Sequence, residues 1–228
     1  LGVAGGASLG AALYVRFGLS FALLGISGVS IFAFLGALGS ISLVYGLTRL
    51  RHGFSTAALL LAGIAVNLFF SSLIMLIQYT SNYAHSFRIM RWLMGGLEIM
   101  GYERVFQLMP LVGISILVLY AVTHELNLMT VGEELAISRG VDVRRTKGIL
   151  FIATSICVGG IVAVCGPIGF IGLMAPHICR LLVGGGHRRL LPATCLFGGL
   201  FLIICDTLAR SAIAPAEIPV GVITSVLG

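Results

Sequence analysis

The amino-acid sequence predicts an all-α, polytopic transmembrane helical bundle, and three observations predict it. Charge is scarce: 10% of the 228 residues are Asp, Glu, Lys or Arg against 58% hydrophobic, and the mean hydropathy is +1.10. A soluble domain carries about 25% charged residues, because a wetted surface must cover its core; much of this chain must be covered by lipid instead. The apolar residues fall in uncharged runs on the scale of the ~20 residues that cross a bilayer, and the bases gather between those runs, the bias that fixes membrane orientation. One membrane domain over 1–228 follows, with the bilayer as its first partner.

The net charge of +6 belongs to those loops. No basic run with interleaved aromatics occurs, so no nucleic-acid partner is implied. The five cysteines (Cys157, Cys165, Cys179, Cys195, Cys205) lie in apolar stretches without CxxC spacing and read as small buried residues. The chain opens at Leu1 without an initiator Met and stops at Gly228 within an apolar stretch, so both ends are expected to lie inside a longer protein.

Charges divide the sequence into seven expected spans. Residues 1–15 form the first, with Gly2, Gly6 and Gly10 making a small-residue stripe for a close neighbour. No charge stands between Arg16 and Arg49, which predicts a long span over 19–48, whose Gly25, Gly28, Gly36 and Gly39 permit close packing or a bend. After the basic loop Arg49-Leu50-Arg51-His52-Gly53, a third span covers 57–80. Residues 81–104 mix polar groups with Trp92 and other aromatics, the make-up of a segment lying along the membrane surface. A fourth span covers 105–124, and a charged stretch runs from Glu125 to Lys147.

The uncharged run from Lys147 to Arg180 is too long for one span, and Gly166-Pro167 breaks it, because proline removes a donor and disfavours helix in the preceding residue. Two spans follow, 148–165 and 168–186, and the resulting hairpin places Lys147 and His187-Arg188-Arg189 on one side. Arg49 and Arg51 share that side by parity, which makes it cytoplasmic. A seventh span covers 190–209; Pro215, Pro219 and Gly221 then mark a broken re-entry over 217–228, of the kind that lines a pathway.

The sequence contains no GxxxxGK[ST] phosphate loop, HExxH pair or nucleophile elbow, so the chain reads as no enzyme by itself, and no cofactor or metal is implied. Ion-coupled transporters carry acids or histidines at mid-membrane; here Asp206 is the one clear carboxylate within a span, with Arg210 at i+4 to pair it. Glu133 and Glu134 open a short helical run, Gly140 suits its C′ position, and Asp142 is placed to cap a second short run ending in Arg144, Arg145 and Lys147. Two short charged helices would make a docking element for a soluble partner; a solvated topological loop has the same composition.

The run Gly166-Pro167-Ile168-Gly169-Phe170-Ile171-Gly172-Leu173-Met174-Ala175-Pro176-His177-Ile178-Cys179-Arg180 resembles the signature of the FecCD-type permeases, which import iron-siderophores, haem and cobalamin. Leu59 to Ala65 resembles that family's exit from its third-to-fourth loop, Trp92-Leu93-Met94-Gly95-Gly96 its external tryptophan motif, and Pro215-Ala216-Glu217-Ile218-Pro219-Val220-Gly221 its terminal re-entrant motif. The resemblance covers essentially the whole chain in the right order. It implies a type II ABC importer permease, with ten spans in the family against about seven plus a partial re-entrant segment here.

The resemblance also implies partners: a second permease copy in a homodimer, two cytoplasmic ABC ATPase subunits and an external substrate-binding protein. Glu133, Glu134, Arg139, Gly140, Asp142, Arg144 and Arg145 would then belong to the cytoplasmic coupling helices over 133–147, Ser55 and Thr56 to the cytoplasmic gate, and Arg210 to the docking site of the binding protein. Arg139 departs from the family, where that place is usually apolar. Plainer readings stand beside these. Ser55 and Thr56 also suit capping of the next helix, Arg210 also neutralises Asp206, and His177 beside Pro176 reads as a helix-packed histidine rather than a relay or haem contact. The mechanism implied is alternating access driven by a partner's ATP hydrolysis. The alternative is a secondary transporter or channel working without an ATPase, which would need an ion site that the sequence does not display.

Overall fold

The computed structural model describes residues 2–23, 26–50, 56–97, 102–212 and 218–228. Among these, five helices are long and apolar enough to cross a membrane: Gly28–Thr48, Ala57–Tyr79, Tyr102–Ala121, Val143–Cys165 and His187–Ser211. The chain divides into two compact units, Leu1–Val112 with Thr154–Pro167, and Gly113–Ala153 with Ile168–Gly228.

In the first unit, α1 (Val3–Arg16) packs along α2 (Gly28–Leu50), and α3 (Thr56–Tyr79) joins them. The glycine stripe sets how closely they approach. A methyl group on Gly6 would strike the carbonyl oxygen of Gly36, and one on Gly10 that of Phe32. Gly39, by contrast, faces open space. Ser40 Oγ donates to Gly2 O at 2.8 Å, so the hydroxyl is satisfied inside the apolar contact. Gly25 lies outside the described residues.

The span expected over 19–48 begins nine residues later, at Gly28. Ahead of it, β1 (Ala22–Leu23) pairs antiparallel with β2 (Ile26–Ser27). The cause is tertiary. Tyr14 Oη donates to Phe21 O at 3.2 Å and accepts from Phe21 N–H at 3.1 Å, which satisfies the extended backbone without helix. The Tyr14 and Phe21 rings meet edge to face at 5.6 Å.

Residues 81–104 contain α4 (Tyr83–Leu93), started by Asn82, whose side chain accepts from His85 N–H at 3.2 Å. Its buried face is Ile89, packed with Ala12 and Ile74. The fourth expected span is α5 (Tyr102–Ala121).

The second unit holds α6 (Thr123–Val131), α7 (Glu133–Ser138), α9 (Ile171–Val183), α10 (His187–Ser211) and α11 (Val220–Leu227), while α8 (Val143–Cys165) contributes residues to both units. α9 lies along α10, with Gly198 opposite Ala175 and Ile171. The stretch expected to re-enter contains α11, which packs on α10 with Val220, Gly221 and Thr224 buried; Pro219 is its N-cap. α1 and α9, at 14 and 13 residues, fall short of the ~20 of a straight crossing. Cys179 and Cys205 are buried as expected, whereas Cys195 lies on the exposed side of α10.

Candidate functional site

The segment between α5 and α8 carries the densest chemistry of the second unit. α7 begins with Glu133 and Glu134 in its first turn, where carboxylates complement the helix dipole. It ends on Arg139 and Gly140. Gly140 N–H donates to Ile137 O at 2.9 Å and Val141 N–H to Ala136 O at 3.0 Å, a Schellman closure. The closure needs a left-handed residue, and Gly140 has φ 83°. The expected C′ position is therefore occupied as read.

The second short helix expected from Asp142 is not a separate helix. Asp142 does cap, with Oδ1 accepting from Arg145 N–H at 3.0 Å, but the helix it opens is α8, continuous to Cys165. Nothing between Lys147 and Cys165 breaks a helix, so the cap propagates into the apolar run. Arg144, Arg145 and Lys147 thus sit at the start of α8, where the dipole opposes them. Two carboxylates offset this: the Asp142 cap, and Glu133, whose Oε1 accepts from Lys147 Nζ at 2.6 Å. Lys147 keeps 12% of its side-chain exposure against 53% for Glu133, so the pair anchors α7 onto α8 from the buried side.

Only Ala136 of α7 is buried. Val131, Leu135 and Ile137 are exposed beside Glu134, Arg139, Arg144 and Arg145. Apolar side chains held out among charges, at the end of α6 and on the one-and-a-half-turn α7, are the composition of a contact patch. Sequence reading missed all three, because it followed the charges; their signal was aliphatic residues inside a charged loop.

At the far end of α10, Arg210 Nε donates to Asp206 Oδ2 at 2.8 Å, the i,i+4 pair read from spacing. The backbone of Ile218 returns to this end, its N–H donating to Ala209 O at 3.2 Å.

The Gly166-to-Arg180 motif falls in two parts. In the first unit, Gly166 has φ 70°, and a Cβ there would lie 2.7 Å from Trp92 O; Gly96 N–H donates to Cys165 O at 2.9 Å. Two motifs seventy residues apart, Trp92 to Gly96 and Gly166-Pro167, therefore form one joint. In the second unit, Gly169 precedes Phe170, a non-glycine residue at φ 65° whose carbonyl accepts from Leu173 and Met174 N–H as α9 starts. Gly172 and Pro176 lie within α9, and Arg180 in its last turn. His177 is exposed on α9 and not packed, because Ala175 and Cys179 form the buried face of that helix. Ser55 and Glu217 lie outside the described residues, as does the side chain of Thr56, the first residue of α3.

Fold and composition together define a multi-pass α-helical protein of the cell membrane. The chain belongs to the FecCD transport family, which it matches over residues 1–228. It is 38% identical along its whole length to an ABC transporter permease protein of Bacillus subtilis, YvrB, of which it covers 65%. It is 37% identical to the hemin transport system permease HmuU of Yersinia pestis and 38% identical to the cobalamin import system permease BtuC of Halobacterium salinarum, covering 68% and 60% of those proteins and all of itself. The fold matches a solved inward-facing structure of a metal-chelate type ABC transporter with TM-score 0.90 and 31% identity, over 100% of this chain and 71% of that one. The chain spans about two thirds of the length of these curated relatives.

Proposed function

We propose that this chain is the membrane-spanning part of an ABC importer permease that moves an iron-siderophore, haem or cobalamin-type chelate inward by alternating access. The observation that carries the proposal is α7: a capped helix, anchored by one ion pair, that presents Leu135 and Ile137 among charges in a FecCD-family chain. Cytoplasmic ATPase subunits dock on this surface, with Glu134, Arg139, Arg144 and Arg145 around its rim. Such rim charges set register and encounter rate, while the apolar centre supplies affinity.

The permease works as a homodimer. Ser55 and Thr56 gate the pathway at the cytoplasmic side, and Arg210 helps receive an external substrate-binding protein. The supporting names among relatives are hemin and cobalamin, so those substrates and a ferric hydroxamate are the chelates to try first. The full-length protein, reconstituted with its ATPase and binding protein, is expected to take up one of the three only with ATP. Uptake that persists without ATP, driven by an ion gradient, would replace this reading with a secondary transporter.

A further inference from the structure

We propose that Asn127 and His187 form a transmission clamp, through which force on α7 reaches α10 as well as α8; this rests on the docking role proposed for α7. The first backbone N–H groups of a helix have no partner within it and need a cap. α10 starts after Gly186, which has no side chain to supply one. Asn127, sixty residues earlier on α6, supplies it: its Oδ1 accepts from His187 N–H at 3.0 Å and is 2.7 Å from His187 Nδ1. With the proton on Nδ1, one carbonyl oxygen holds both the backbone and the side chain of the first residue of α10.

A second tie lies beside it. Arg188 Nε donates to Tyr120 Oη at 3.2 Å, joining the next residue of α10 to the last turn of α5. On the other side, the Glu133–Lys147 pair joins α7 to α8. The segment from Thr123 to Ser138 is therefore fastened to two long helices, to α10 through Asn127 and to α8 through Glu133. A Ser or Asp at position 186 would cap α10 within its own chain segment. A cap drawn from α6 adds what a local cap cannot, a mechanical link between the docking segment and a helix whose 25 residues reach about 37 Å. That far end carries the Asp206–Arg210 pair.

The test uses the full-length protein reconstituted with its ATPase, its native cysteines replaced and a spin label at Ser211→Cys. The readout is the change in label mobility on adding ATP and vanadate, measured beside ATP hydrolysis. Asn127→Leu is expected to retain hydrolysis while reducing the mobility change about fivefold or more, the scale of a lost coupling between sites. Asn127→Asp keeps the acceptor oxygen and is expected to keep the change. Full mobility change with normal hydrolysis in Asn127→Leu would overturn the clamp. If that variant does not fold, Asn127→Cys/His187→Cys joined by a short bifunctional thiol reagent serves instead: the clamped complex is expected to cycle normally, and arrest would show that the contact must open. Absence of an ATP-dependent change in the unmodified complex would strike at the docking role of α7 itself, and a purely structural cap would lower yield without separating hydrolysis from movement.

Discussion

Lys147 donates to Glu133 at 2.6 Å, and the two partners are unequally exposed. Loss of either side should therefore have unequal effects. Removing the carboxylate (Glu133→Ala) leaves the largely covered Lys147 side chain without this partner, at a cost of about 1–3 kcal/mol. Removing the amine (Lys147→Met) leaves a solvated carboxylate and should cost about 1 kcal/mol or less. Hydrogen exchange across residues 133–141 reports the difference: faster exchange in Glu133→Ala than in Lys147→Met is expected, and equal exchange in the two would contradict the anchoring geometry.

The α1–α2 contact gives a second asymmetry on one helix. Gly36→Ala drives a methyl into the carbonyl of Gly6 and should destabilise by about 1–3 kcal/mol through overpacking. Gly39→Ala meets open space and should be neutral or stabilising by up to about 1 kcal/mol, since alanine favours helix. Thermal stability of the two detergent-purified variants, followed by fluorescence-detected size exclusion, separates them. Equal loss at both positions would count against this interface.

Two left-handed glycines should also respond differently. Nothing lies within 4 Å of a Cβ on Gly140, so Gly140→Ala should cost only the conformational penalty of about 1–2 kcal/mol. Gly166→Ala adds a collision with Trp92 O to the same penalty. The expected order in thermal stability is wild type, then Gly140→Ala, then Gly166→Ala. Equivalence of the two variants would mean that the Trp92–Gly166 joint is looser than its geometry indicates.

Much of this was legible because its causes are local. Charge spacing located the apolar runs, the i,i+4 rule located Asp206–Arg210, and a glycine after a short acidic helix located the C′ residue. The departures come from distant partners. The Tyr14 hydroxyl holds Phe21 extended, so the second span starts late; no pattern within 19–48 could reveal that. Asp142 was correctly a cap, but helix length depends on where the next breaker stands, and that is Gly166-Pro167. Asn127 and His187 are sixty residues apart with no spacing rule to join them.

Arg210 separates two roles. If it receives a binding protein, Arg210→Glu should slow association and weaken its salt dependence, because a charge at a contact rim acts on encounter. If it serves only Asp206, the reversal leaves two carboxylates one turn apart, and the loss should appear in expression and stability instead. Association kinetics on reconstituted membranes, measured beside expression level, distinguish the outcomes. Normal kinetics in a well-expressed variant would remove Arg210 from the docking surface.

The central claim, that α7 is where an ATPase meets this permease, is tested most directly by photo-crosslinking in native membranes. A photoreactive amino acid replaces Ile137 on α7 or, as control, Leu117 on α5, both exposed on this chain. The account predicts that position 137 of the full-length protein yields a covalent adduct with a nucleotide-binding ATPase subunit, while position 117 yields lipid adducts. Lipid adducts at both positions, with no ATPase captured at 137, would contradict it.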